Sequence, residues 1–410
     1  MNIPFSKPLI DKDVVSEVND CLSNTGWLTT GPKTRELEEE IKSYTMSNNV
    51  LCVNSWTSAA MLILKWYGIK KGDEVIIPSY SYSATALCII NSGANAVMVD
   101  VCDDFNIDIN KIKSAITTKT KAIMPVDIGG FPCCYDKILE LLNQSEVKRL
   151  FNPENDIQKK LGRILLMSDS AHSIGAKLKG KHIAQYADFT LYSFHSVKNI
   201  TSGEGGAICE NLPNDKFDNK SEFTNLKYLS LNGQTKSAFE KYKIGGWRYD
   251  IIYPGLKINM PDVCASIALA QIKKYESKLL PERKKIFEKY NTYFKKLNWA
   301  ILPPQMSKNK ESSYHLYMIR IKNISENDRD LMIEYISKKN VGVNVHYIPM
   351  PMLTIFQKLG YDINNYPNTY KIYSNEITLP VYNGLTNKQV SYVCRVVSES
   401  YKHITNNKQL

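Results

Sequence analysis

From about Val14 to Gly206, short apolar runs alternate with stretches of helical periodicity, and this alternation constrains the fold more than any other feature of the chain. "NVLCVNS" (49–55) reads as a buried strand and "WTSAAMLILKWYG" (56–68) as the helix after it. "KGDEVIIPSYSYSATALCIINSG" repeats the pair, and "NAVMVDV", "KAIMPVDIGG", "RILLMSDSAH" and "DFTLYSF" are further short runs, each closed by a polar or small residue. Parallel strands need long crossovers, usually helical, and strands buried on both faces lose the polar alternation of a surface sheet. The pattern therefore predicts an α/β domain with a mostly parallel sheet and helices on both faces. Ligands of such sheets sit outside the carboxyl ends of the strands, so the residues closing each run are where chemistry is expected.

The remainder of the 410 residues needs a second unit. After about Asn259 the pattern changes to a long amphipathic stretch, "DVCASIALAQIKKYESKLLPERKKIFEKYNTYFKKL", followed by "SSYHLYMIRI" and "VGVNVHYI", which read as strands of a smaller α+β domain. We place the division at 1–255, a large domain with an N-terminal arm, and 256–410, a small domain that includes the linking helix. The polar "NQSEVKRLFNPENDIQKKLGR" reads as a surface excursion, and the polar end from Thr405 to Leu410 as disordered.

The net charge is +11, but the basic residues are scattered, which argues against a nucleic-acid surface and leaves attraction of a diphosphate substrate as the more modest use. Nine cysteines without CxxC pairs predict free thiols in a reducing compartment and no metal site. "MNIPFSKPLIDKD" lacks an apolar signal core, and no run reaches the length of a membrane span, so a cytoplasmic protein with no membrane partner is expected.

Four strand ends carry candidate chemistry. A helix begins near Thr57, and its free backbone N–H groups, with the hydroxyls of Ser55, Thr57 and Ser58, would suit a phosphate; simple N-capping explains the same residues. Tyr82 could lie on a planar ring, although Tyr80 and Tyr82 taken alone read as core. Asp169 could accept a proton shared with a ring nitrogen, with His172 beside it, or could be a helix cap. Lys198 lies 29 residues after Asp169, one βα unit on, in "SFHSVKNITSGEGGAI", where Ser193 could hold phosphate and the following glycines permit close backbone approach. His195 reads as structural. A phosphate cradle, a stacking aromatic, a carboxylate for a pyridine nitrogen and a lysine able to form a Schiff base are together the parts of a pyridoxal 5′-phosphate (PLP) site.

The blocks "GWLTTGPKTRELEEE", "GDEVIIPSYSYSATA", "SDSAHSIGA", "SFHSVKNITSGEGGAI", "SSYHLYMIRI" and "VNVHYIPM", in that order from Ile3 to about Thr386, resemble those of the DegT/DnrJ/EryC1/StrS family of PLP-dependent sugar aminotransferases. The resemblance implies the type I aminotransferase fold. It implies Lys198 as the lysine bonded to the cofactor, Asp169 as the partner of the pyridinium, His172 beside the ring oxygen and Tyr82 as the stacking aromatic. Thr57, Ser58 and Ser193 would bind the phosphate. Lys257 and Asn259 in "GLKINMPD" would reach the neighbouring subunit's site in a homodimer, and Thr29, Thr30 and His346 would line the sugar or amino-donor site.

Two positions depart from the family pattern. Trp56 stands where a glycine is usual, so either it is strained at positive φ or the loop takes another conformation. "GLKIN" has Lys and Asn where many members have Asn and Arg, a variant resembling the branch that makes UDP-2-acetamido-4-amino-2,4,6-trideoxyhexoses. Relatives that are dehydratases carry His in place of the lysine, which Lys198 argues against. The expectation is transfer of the amino group of L-glutamate to C4 of a UDP-linked 4-keto-6-deoxy-N-acetylhexosamine for surface polysaccharide synthesis. The alternatives are a 3-aminotransferase acting on a dTDP-keto-sugar and a PLP-binding regulatory protein without turnover.

Overall fold

The computed structural model describes residues 1–242 and 244–406. In chain order the strands are β1 (Asn49–Val53), β2 (Glu74–Pro78), β3 (Asn95–Val99), β4 (Thr120–Ile123), β5 (Leu165–Asp169), β6 (Lys177–Leu178), β7 (Lys181–His182), β8 (Phe189–Ser193), β9 (Gly206–Glu210), β10 (Ala300–Ile301), β11 (Lys310–Glu311), β12 (Tyr317–Ile321) and β13 (Glu376–Leu379). Seven of them form one sheet in the order β1-β9-β8-β5-β4-β2-β3, in which β9 alone runs against its neighbours. The expected α/β architecture with a mostly parallel sheet is what the chain adopts.

Helix α1 (Lys12–Asp20) packs on the helix Asp262–Ile272, while α2 (Pro32–Thr45), α3 (Trp56–Trp66) and α4 (Ala84–Asn91) pack on the sheet. Ala59, Ala60, Leu62, Ile63 and Leu64 of α3 are wholly buried, so this helix is apolar nearly all round and sits inside the main core. All five residues of β5 are buried, as expected of a strand covered on both faces. A second core gathers Ile286, Phe287, Tyr290, Tyr317, Ile319 and Ile377, and Ile3 of the N-terminal arm joins it through a bridge to Val341. Its sheet is β10-β12-β13, antiparallel.

Four local readings change. The long amphipathic stretch is broken: Asp262–Ile272 and Leu280–Phe294 are separate helices, and Ala265, Ala268 and Leu269 of the first pack with Leu37 and Ile41 of α2. "VGVNVHYI" makes two isolated bridges rather than a strand, because the Asn344 side chain takes the Val345 N–H (2.8 Å) and turns the chain inward. The polar excursion folds into the short helices Ser145–Leu150 and Asp156–Leu161, which bury Val147 and Leu161 in the main core. Thr405 and Asn406 end the helix Asn387–Asn406, and the rest of that polar terminus lies outside the described residues.

Candidate active site

The carboxyl ends of β1, β5 and β8 open onto one cavity of about 440 Å³, lined by Thr57, Tyr82, Asp169, His172, Ser193, Lys198 and His346 among others. The reversed strand β9 helps to close it. Its first residue, Gly206, is in register with both Val53 and Ser193, and a Cβ there would lie 2.8 Å from the Tyr192 carbonyl oxygen and 2.9 Å from Trp56 N. Only glycine allows β9 to start this close to the first turn of α3.

That turn presents free backbone N–H groups to the cavity, a setting suited to an anion. Ser55 caps α3, its hydroxyl accepting from Ser58 N at 3.1 Å, while the N–H groups of the positions before Ser58 have no partner within the helix. Trp56 is the first helical residue and is not among the residues of positive φ, so the second of the two expectations for it holds and there is no strain. Thr57 reaches the cavity, whereas the Ser58 hydroxyl is turned to Ser55 (2.8 Å) and does not line it.

Asp169 ends β5 and is buried. Its Oδ2 accepts from the Thr85 hydroxyl at 2.8 Å, and its Oδ1 from Ala171 N at 3.3 Å. Burial pushes its carboxyl up to about 7, against the pull of these hydrogen bonds and of the Lys198 ammonium. Lys198 is partly exposed to the cavity, and desolvation lowers its amine to about 8, with Asp169 opposing. Near neutral pH about a tenth of it is therefore the neutral nucleophile, far more than for a free lysine.

His172 accepts from Gly129 N at Nδ1 (3.3 Å), which leaves its hydrogen on Nε2, 3.0 Å from the Tyr347 hydroxyl. Burial, then the nearby Lys198 ammonium, holds it neutral. Tyr82 is 61% exposed at the cavity mouth, its ring 5.8 Å from that of Tyr347, while Tyr80 is wholly buried; the core reading was right for Tyr80 alone. His195 lies at the rim, 3.6 Å from Glu204.

Thr29, Thr30, Lys257 and Asn259 are elsewhere. They line a second cavity of about 660 Å³ beside Arg35, Lys227 and Lys241. Asn259 Nδ2 donates to Thr30 Oγ1 at 2.7 Å, and Lys257 Nζ donates to Asn259 Oδ1. The sequence reading missed Thr85 and Tyr347. Thr85 bonds Ser81, four residues earlier in the loop before α4, a spacing without signal of its own, and Tyr347 directly follows a candidate residue without a motif of its own.

The donor set fits pyridoxal 5′-phosphate. The glycine-floored first turn of α3 suits its phosphate, Tyr82 and Asp169 suit its ring, and Lys198 suits its aldehyde. Among the described residues no helix is long and apolar enough to cross a membrane.

Comparison with known proteins agrees with this chemistry. The model of the DegT/DnrJ/EryC1/StrS aminotransferase family matches residues 8–152 and 154–398. The fold superposes on Spr1654 of Streptococcus pneumoniae, assigned as a sugar aminotransferase, with a TM-score of 0.94 for its apo form at 38% identity, covering 100% of both chains. That protein is also solved in PLP and PMP (pyridoxamine phosphate) forms. The spore coat polysaccharide biosynthesis protein SpsC of Bacillus subtilis is 31% identical over 98% of this chain and 97% of its own, and the uncharacterized protein MJ1066 of Methanocaldococcus jannaschii is 35% identical over 97% and 98%.

Proposed function

The chain belongs to the DegT/DnrJ/EryC1/StrS aminotransferase family and takes PLP as its cofactor, and on that premise we propose that it moves the amino group of L-glutamate to C4 of a UDP-linked 4-keto-6-deoxy-N-acetylhexosamine. The observation that carries amino transfer is the placement of Lys198, partly neutral, in one cavity with Asp169, His172 and Tyr82. The choice of UDP and C4 is supported by the "GLKIN" variant.

Bound there, the cofactor supplies an aldehyde that accepts and returns the amino group and a ring that draws electrons from the bond being broken. Lys198 attaches the cofactor and afterwards carries the proton between the carbon that loses it and the carbon that gains it. Asp169 keeps the ring nitrogen protonated, and Thr85 holds the Asp169 carboxylate in place. His172, oriented by Gly129 N, offers its Nε2 hydrogen to the ring oxygen or to Tyr347. Thr57, Ser193 and the first turn of α3 hold the phosphate, and Ser58 supports that turn through Ser55.

We place Thr29, Thr30, Lys257 and Asn259 at the partner's cavity in a homodimer with shared sites. That they line a cavity other than this chain's own Lys198 cavity supports the reading, as do the exposed Ile244, Trp247 and Tyr249 nearby in sequence. The large domain 1–255 and small domain 256–410 remain our proposed organisation, with a cytoplasmic location.

The test is a panel of keto-sugar nucleotides offered with L-glutamate, the amino sugar identified by NMR. A 4-amino UDP-sugar is expected; turnover of dTDP-3-keto-sugars alone would replace the reading. Mixing Lys198→Ala protomers with protomers altered at Lys257 and Asn259 should restore activity that neither homodimer has, and no restoration would remove the sharing.

A further inference from the structure

Behind His346 lies a buried acid that the mechanism above does not use. Asn344 bridges Thr378 of β13, its N–H donating to the Thr378 carbonyl (3.1 Å) and its carbonyl accepting from Thr378 N (2.7 Å), and this register brings His346 alongside Glu376. His346 N donates to Glu376 Oε2 at 3.1 Å, and its ring Nδ1 is 3.0 Å from the Thr378 hydroxyl. The same hydroxyl is 2.5 Å from Glu376 Oε1. One threonine oxygen thus stands between the carboxyl and the imidazole. Phe5 stacks on the ring at 5.3 Å and fixes its plane. Among the described residues no protein group bonds Nε2, and the side chain lines the Lys198 cavity.

We propose that Glu376 is a positioning residue whose charge state, passed through the Thr378 hydroxyl, decides whether His346 presents a hydrogen-bond donor or an acceptor to the Lys198 cavity. A hydroxyl has one hydrogen to give. When Glu376 is ionised, Thr378 donates to it and accepts from Nδ1–H, so Nε2 faces the cavity as a lone pair suited to a sugar hydroxyl. When Glu376 is protonated it donates to Thr378, Thr378 donates to Nδ1, and Nε2 carries the hydrogen, suited to a carboxylate or carbonyl. Passing from the second state to the first moves the Glu376 hydrogen to Thr378 and the Thr378 hydrogen to Nδ1, and releases the Nε2 hydrogen to the cavity. The sum is one proton lost and one negative charge gained on Glu376.

The surroundings suit such a device. Burial pushes Glu376 up to about 8, with the Thr378 hydroxyl, His346 N and the Arg329 guanidinium pulling down. Tyr80 and Tyr347 also face it. Burial, then Lys198, lowers His346 to about 3, and His172 and His315 face it as well. The imidazole is therefore neutral throughout the titration of Glu376, and only its tautomer can change.

The experiment is nitrogen NMR of PLP-loaded protein with labelled histidine; the chain has six histidines, and a His346→Gln spectrum identifies the ring. In the wild type the ring hydrogen should sit on Nε2 below pH 8 and shift to Nδ1 above it. In Glu376→Gln the amide NH2 cannot give up its hydrogen, so the Nε2–H form should persist at all pH values. Thr378→Val should abolish the pH dependence. A single unchanging tautomer in the wild type through pH 8, or Glu376→Gln tracking the wild type, overturns the proposal. The inference leans on the proposed function only in placing substrate against His346. The spectrum reads the ring itself, so failure of the substrate panel and failure of the relay are separate results.

Discussion

Lys198 is the residue on which the proposed chemistry turns, and its setting makes a prediction with a definite sign. Its amine is lowered to about 8, and only the neutral form attacks an aldehyde. Uptake of PLP by apo protein, followed by the cofactor's absorbance, should therefore quicken as pH rises and level off above about 8; borohydride should then fix the cofactor's mass on Lys198. A label on another lysine, or uptake flat across that range, would contradict the assignment. At Asp169 the expected outcome of Asn substitution is a kcat loss on the order of 10²–10³-fold with the fold intact, because a buried electrostatic partner of the ring is removed; near-normal turnover would leave Asp169 a capping residue. These residues were legible because Asp169 closes β5 and Lys198 lies in the loop just past the end of β8, where the fold class alone places ligands. Thr85 was not, because its role depends on the hydroxyl meeting Asp169 across 84 positions, which no local pattern records.

At the scale of the element, the loop holding Thr29 and Thr30 is set by one acid. Asp262 is wholly buried; its Oδ1 accepts from Gly31 N (2.7 Å), Thr34 N (3.0 Å) and Thr34 Oγ1 (2.6 Å), and its Oδ2 from Lys33 N (3.0 Å). It thus caps α2 from more than two hundred residues away, while its own N–H donates to the Leu28 carbonyl (3.1 Å). Asp262→Ala would leave several buried donors unpaired, at a cost of about 3 kcal/mol or more. Calorimetry should show a lower Tm, and the mixed-protomer complementation should weaken because Thr29 and Thr30 lose their support. An unchanged Tm would deny the cap. The parallel strands and their helices were legible from periodicity. The "VGVNVHYI" segment was not, since its apolar alternation mimics a strand while an Asn344 side-chain bond ends the pairing. The cap on α2 was equally hidden, lying far off in sequence.

For the whole molecule, buried acids set a pH window of stability. Burial raises Glu38 and Asp169 to about 7 and Glu376 to about 8. With folded values above the unfolded ones, their contribution is complete below the unfolded values and is lost as pH climbs through the folded ones. The buried His172, His315 and His346 act the other way, costing stability as pH falls below their ordinary value of 6.5. The lowered Lys198 returns stability only above about 8. The apo protein should therefore lose Tm between pH 6.5 and about 8, and Glu38→Gln should flatten that slope; a Tm rising across the window would refute this accounting.

The claim that the molecule moves an amino group from an amino acid to a keto-sugar is tested most directly by isotope. PLP-loaded protein is given ¹⁵N-labelled L-glutamate, freed of excess donor, and then given the UDP-4-keto-sugar, with the sugar nitrogen followed by NMR. The account predicts ¹⁵N bonded to C4 of the sugar, and none from Lys198→Ala protein. A sugar recovered without nitrogen, with the label still held on the protein, would contradict it.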